Sequence, residues 1–295
     1  MSAPVRALLQ SAVDYAGTFP PARLDLAGAL RRYAEHRAGP HAWMLGRFVL
    51  PTAKLEEFQD LGRGALGPSG GEAWPLSLVL SPEPGKEIER IDSFAREWEG
   101  RVKVASVEAP PLEAARIRSV AARIPPSFQA FFEVPLGPGS DPRLTAVAAL
   151  GAAAKVRAGG PREDSFPSPA ELSRFLFACA RAKVPFKATA GLHHPFRCTR
   201  RLDDDPGSPM VAMHGFLNLA VLACLIHAGK VGPEEARQVL EEPSPEAFSF
   251  LEDGLAWRDR RVDLREIAEG RRFFRSFGAC SFEEPVTDLE ELRIL

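Results

Sequence analysis

Short apolar runs alternate with stretches of helical periodicity along almost the whole chain, and this alternation restricts the possible folds more than any composition figure does. Strands are expected over 12–17, 43–50, 75–80, 102–108, 128–134, 152–160 and 184–191. Helices are expected after each, over 24–37, 54–61, 88–98, 112–124, 141–150, 168–183 and 213–228. Leu26, Leu30, Tyr33 and Ala34 recur at helical spacing, as do Ile88, Ile91, Phe94, Ala95 and Trp98. The run Pro75-Leu76-Ser77-Leu78-Val79-Leu80 is nearly all apolar, as in a strand covered on both faces. Ser168-Pro169-Ala170-Glu171 is a capping-box pattern, and Asp141-Pro142 supplies a cap and a proline at the first helical position. A further helix over 233–242 reads as an insertion.

The eighth unit is less regular. Residues 247–251 read as its strand, Asp253-Gly254 as a hairpin turn into 255–258, and 263–277 as the last helix, stopped by Gly278. A competing eighth strand lies over 279–283. Eight β/α pairs in 295 residues predict an α/β protein built as a (β/α)8 TIM barrel. It would form one domain over 1–295, with a helical insertion after strand seven and a C-terminal tail. The rival, an open doubly wound sheet, usually has GxGxxG in its first βα turn; here that turn is Ala16-Gly17-Thr18-Phe19-Pro20-Pro21. The Gly/Pro-rich segments 64–71, 137–141 and 203–208 read as loops, with Asp203-Asp204-Asp205 a solvated turn.

A chain that is 45% apolar and 26% charged suits a water-soluble globular protein. Its net charge of −2 gives no electrostatic reason to expect nucleic acid or an anionic membrane as partner. No apolar run is long enough for a bilayer, and the N-terminus lacks the pattern of a signal peptide. Four widely spaced cysteines fit reduced thiols, so a cytoplasmic location is expected. A homo-oligomer is compatible with all of this.

In such a barrel, function gathers at the C-terminal ends of the strands. Asp14, Arg47, Glu108, Glu133, Lys155, Arg157, Lys187, Thr189, His193 and His194 fall there. Side chains alternate faces along a strand, so Lys155 and Arg157 share one face, as do Lys187 and Thr189, and Gln129, Phe131 and Glu133. The expected pocket therefore holds two lysines, one or two arginines and about three carboxylates. A packed core has no use for so much charge.

The runs Lys155-Val156-Arg157-Ala158-Gly159 and Lys187-Ala188-Thr189-Ala190-Gly191 place a lysine in strand six and another in strand seven. This arrangement resembles the class I, Schiff-base aldolases of the deoxyribose-phosphate aldolase type, over some forty residues. The resemblance implies that Lys155 forms an imine with a substrate carbonyl and that Lys187 lowers its pKa by like-charge proximity. Glu133 or Glu108 would relay protons. Arg157 stands where the family pattern has a small hydroxyl residue, Leu192 replaces its second glycine, and Glu108 stands where it has an aspartate.

The implied substrate is a small anionic carbonyl compound, bound by Arg157, Arg47, Thr189, His193 and Asp14, with no cofactor. A second reading is a metal-dependent barrel enzyme, in which His193, His194 and His214 hold a divalent metal together with Glu133. A third is a non-catalytic barrel whose cationic face binds a small anion, or whose charges only pair with one another. Cys280, beside Gly278 and Ser281, is the one candidate for a reactive thiol.

Overall fold

The computed structural model describes residues 2–66, 71–137, 140–202 and 205–295. Of the segments read as loops, 67–70, 138–139 and 203–204 lie outside these residues, and with them most of the Asp203-Asp204-Asp205 run. Eight parallel strands close into a barrel in chain order. They are β1 (Val13–Tyr15), β2 (Leu45–Pro51), β3 (Trp74–Val79), β4 (Val102–Ala109), β5 (Gln129–Glu133), β6 (Ala153–Arg157), β7 (Phe186–Thr189) and β8 (Phe274–Ala279). The ring closes where Phe277 of β8 pairs with Val13 on one side and Ala188 on the other. The expected (β/α)8 architecture is therefore present.

The surrounding helices are α1 (Ala3–Leu9), α2 (Leu26–Ala38), α3 (Leu55–Ala65), α4 (Glu87–Glu97), α5 (Ala114–Ala121) and α6 (Ser140–Ala149). They continue with α7 (Pro169–Ala182), α8 (Phe216–His227), α9 (Pro233–Glu241), α10 (Leu264–Phe273) and α11 (Glu283–Glu291). The capping box of α7 forms as expected: the Ser168 hydroxyl accepts from the Glu171 N–H, while the Glu171 carboxylate accepts from the Ser168 N–H. Outward-facing aromatics bind this layer to the barrel. Phe186 meets Phe175 of α7 and Phe273 of α10, and Phe216 of α8 stacks on Phe277 at 4.8 Å.

The eighth strand is not at 247–251. Phe248–Leu251 pairs antiparallel with Gly254–Trp257, and that strand pairs with Arg260–Asp263, forming a small three-stranded sheet outside the barrel. The hairpin turn at Asp253-Gly254 is where it was expected, but it serves this sheet. The barrel position is filled by β8, which begins inside the span read as helix to residue 277 and ends at residue 279, where the competing strand over 279–283 was read to begin. The apolar pattern of α10 runs without a break into Phe273, Phe274 and Phe277, so periodicity alone does not mark the change of structure. Helices α1 and α11, and a hairpin joining Cys198–Arg201 to Met210–Met213, were not anticipated either.

Helix α8 is apolar on all sides, and every residue from Phe216 to Ile226 is buried. Such a helix needs cover on its outer face as well as its inner one. The helical insertion α9, together with α10 and the three-stranded sheet, provides it. Contact with α10 is close enough that a Cβ on Gly270 would lie 2.5 Å from Cys224 Sγ and 2.8 Å from its Cα. Alanine in place of glycine gains about 1 kcal/mol of helix propensity, whereas overpacking costs about 1–3 kcal/mol. Gly270→Ala is therefore expected to destabilise the protein, and a urea midpoint that stays level or rises would contradict this packing.

Candidate active site

The register places Glu133, Lys155 and Lys187 side by side on β5, β6 and β7, in one layer of the barrel interior. Their inward direction follows from the alternation along each strand, since Phe132, Val156, Phe186 and Ala188 fill the opposite face against the helices. Asp14 of β1 and Glu108 of β4 reach the same layer from across the barrel. Lys187 Nζ lies 2.6 Å from Asp14 Oδ2 and 2.7 Å from Glu108 Oε1. Lys155 Nζ lies 3.0 Å from Glu133 Oε2 and 3.3 Å from Glu108 Oε2. Glu108 thus bridges the two ammonium groups.

Neutral groups complete the network. The Ser276 hydroxyl donates to Asp14 at 2.6 Å, and the Ser77 hydroxyl donates to Glu108 at 2.6 Å while accepting from Ser106 at 2.7 Å. Arg47 sends its backbone N–H to Asp14 at 2.9 Å and its guanidinium to Asp14 and Gln129. A Cβ on Gly46 would lie 2.6 Å from Asp14 Oδ1, so glycine there lets the carboxylate approach the strand. The Phe131 ring lies 5.5 Å from the Lys187 ammonium.

Burial and charge oppose one another here. Burial alone raises the pKa of Asp14 and Glu108, but the nearby cations, chiefly Lys187, outweigh it and hold both carboxyls below the ordinary carboxylate range. Burial likewise lowers the pKa of Lys187, and the charges of Asp14 and Glu108 reverse that, leaving it above the ordinary lysine value. Lys187 is accordingly a fixed ammonium, 1% exposed.

A cavity of about 600 Å³ opens over this layer at the C-terminal ends of the strands. Its lining includes Glu108, Glu133, Lys155, Lys187, Thr189 and His193. Arg157 stands nearer the mouth with its side chain half exposed, and its closest carboxylate is Glu133, at 3.9 Å. The glycines after β6 and β7 have a shared purpose. A Cβ on Gly159 would lie 2.8 Å from the Gly191 Cα, and one on either glycine would collide with the Phe166 ring, which lines the cavity. Gly191 also holds φ at +69°, next to Ala190 at +61°, so the chain turns sharply after β7.

The three histidines do not converge. His193 Nδ1 pairs with Glu284 at 3.0 Å and His194 Nδ1 with Asp288 at 2.6 Å, both on α11. His214 is buried; its Nε2–H donates to the Pro167 carbonyl at 2.8 Å, and its Nδ1 accepts from Arg197. Burial pulls its pKa down to about 4, so it is neutral at physiological pH. Among the described residues, no three His, Cys, Asp or Glu side chains are grouped so as to hold a metal ion. No helix among them is long and apolar enough to cross a membrane. Cys280 lines the cavity, but burial raises its thiol pKa, contrary to what a reactive thiolate needs.

Arg47 and Asp14 lie below the cavity in the charge network rather than on its lining. Ser77, Ser106, Ser276 and Phe166 belong to the site and were missed. Ser77 was legible as the one hydroxyl within an otherwise apolar strand. Ser276 was hidden in a span read as helix.

No protein-family model matches the chain, and no curated protein is similar to it.

Removing Lys187 leaves Asp14 and Glu108 buried without their main cation, so Lys187→Met is expected to cost about 3–5 kcal/mol in urea unfolding. The pH dependence has a definite sign. Carboxyls with depressed pKa stabilise fully above their unfolded values near 4 and lose that contribution as pH falls through the folded ones. Lys187, with its raised pKa, contributes fully below about 10.4 and loses its share as pH rises further. The contribution of this network should therefore be level from about pH 5 to pH 10, with His214, neutral in the fold, adding a separate loss of stability below about pH 6.5. Asp14→Asn should lower the network's plateau and flatten its acid limb. An acid limb of wild-type steepness in the Asp14→Asn variant would show that Asp14 contributes nothing to it.

Proposed function

We propose that this protein is an enzyme of lyase or aldolase type, acting on a small anionic carbonyl compound, with Lys155 as the amine that forms the Schiff base. The observation that carries the reading is the position of Lys155. Its side chain lines the cavity, and the Glu133 carboxylate stands 3.0 Å from its Nζ on the neighbouring strand. Lys187 has two shorter contacts and is enclosed more fully, which suits a structural cation. Glu108 offers one oxygen to each lysine, and its shorter contact is with Lys187, at 2.7 Å against 3.3 Å for Lys155.

The chemistry needs few groups. Glu133 takes a proton from the Lys155 ammonium, and the neutral amine attacks the carbonyl carbon. Glu133 then returns a proton to the carbinolamine hydroxyl, which leaves as water and gives the iminium. Glu108, kept ionised by Lys187 and Ser77, balances the positive charge of that iminium. The iminium accepts the electron pair of the C–C bond broken at its α carbon and becomes an enamine, while the hydroxyl on the departing carbon gives its proton to Glu133 and leaves as a carbonyl. Glu133 then protonates the enamine, water hydrolyses the resulting iminium to free Lys155, and the reverse sequence forms the bond. Arg157 and Arg23, both on the cavity lining, suit the anionic part of the substrate.

Borohydride reduction of the protein with a panel of aldehydes and 2-oxo acids is expected to leave a mass adduct on Lys155. Lys155→Arg keeps the charge and is expected to form none, while retaining a cooperative unfolding transition. A panel that gives no adduct, or places it on another lysine, would refute the imine chemistry. A purely structural role for the charge network predicts no adduct, with lowered stability in both lysine variants.

A further inference from the structure

Anionic substrates of barrel enzymes are commonly phosphorylated, and the loops after strands seven and eight, with the helix N-termini near them, usually hold the phosphate through backbone N–H groups. In this chain the N-termini of the helices that follow β7 and β8 are already engaged. After β7, the first amides of α8 are used internally: the Phe216 N–H donates to the His194 carbonyl at 3.0 Å and the Leu217 N–H to the Pro195 carbonyl at 2.9 Å. The next polar contact of this turn is also internal, with the Arg197 N–H donating to Asn218 Oδ1. After β8, the first turn of α11 carries Glu283 and Glu284. The Glu284 N–H donates to Ser281 Oγ, and its carboxylate, paired with His193, is held below its ordinary pKa. A phosphate there would meet two carboxylates.

The rest of the rim is apolar in a specific way. Pro20 and Pro21 after β1, Pro110 and Pro111 after β4, and Pro161 after β6 all line the cavity, and a proline has no N–H to offer. Between them stand Phe19, Phe166, Met213 and Leu202. Such walls suit an apolar or aromatic body and give a polyhydroxylated chain few partners. Lys155, Glu133, Glu108 and Lys187 form the floor, and the two guanidinium groups of the lining are Arg157, on the face it shares with Lys155, and Arg23.

We infer that the substrate is an unphosphorylated carbonyl compound with an apolar, aromatic-sized body and a single carboxylate, the carboxylate taken by Arg157 and the body by the proline- and phenylalanine-lined walls. This rests on the Lys155 reading for the carbonyl, but the walls and the filled amides are independent of it.

The test uses two readouts on the full-length protein. In borohydride trapping, phenylpyruvate should be captured on Lys155 at concentrations at least about tenfold below those needed for glyceraldehyde 3-phosphate or pyruvate. Arg157→Gln should reduce the preference for phenylpyruvate over phenylacetaldehyde by about 10-fold to 100-fold, the range for one charge-assisted hydrogen bond. In thermal-shift titration, 3-phenylpropionate, which has no carbonyl to react, should raise the melting temperature, and glycerol 3-phosphate at equal concentration should not. A shift with 3-phenylpropionate but no adduct from any carbonyl compound would uphold the substrate class while refuting the imine. Adducts on Lys155 that favour the phosphorylated aldehyde, or a shift with glycerol 3-phosphate alone, would overturn the substrate class and leave the imine standing. No shift with 3-phenylpropionate would also overturn it.

Discussion

The Lys187 ammonium, held between the carboxylates of Asp14 and Glu108, is the contact on which the interior depends. Those three residues come from β7, β1 and β4, so the contact spans the barrel instead of joining neighbours. Burying an unpaired charge would cost several kcal/mol, and each of the three is tolerable only because the others are present. What looks like excess charge for a packed core is therefore a closed set. Lys155 and Glu133 sit at its open edge, where the same layer meets the cavity.

The barrel was legible in the sequence because its first seven strands are separated by helices with clear apolar periodicity. The direction of the site residues was legible too: Lys155 with Arg157, and Phe131 with Glu133, follow from the two-residue repeat of a strand. The eighth strand was not, for a definite physical reason. Phe274 and Phe277 continue the apolar spacing of α10, while Phe248 to Leu251 has the composition of a barrel strand but pairs in a separate antiparallel sheet. Local pattern does not say which partner a strand will find. Pairing between distant charges was equally hidden, so His193 and His194 read as metal ligands when their partners, Glu284 and Asp288, lie far along the chain on α11.

The region between β7 and β8 shows how the additions to the barrel serve it. Helix α8 is too apolar to face water, and α9, α10 and the small sheet are the cover it requires. The hairpin after β7 contributes Met213 to the cavity, so the same stretch of chain also shapes the site. Stability and site architecture are thus connected in the part of the chain that periodicity described least well.

The charge network has a further consequence for how the barrel can be assembled. Asp14, Arg47 and Glu108 come from the first four strands, whereas Glu133, Lys155 and Lys187 come from the last four. The first half-barrel carries a surplus of negative charge in its interior and the second a surplus of positive charge. Only when the halves meet do three carboxylates face three cations. The two halves therefore act as complementary partners held in one chain, and closing the ring is the step that makes its interior electrically neutral.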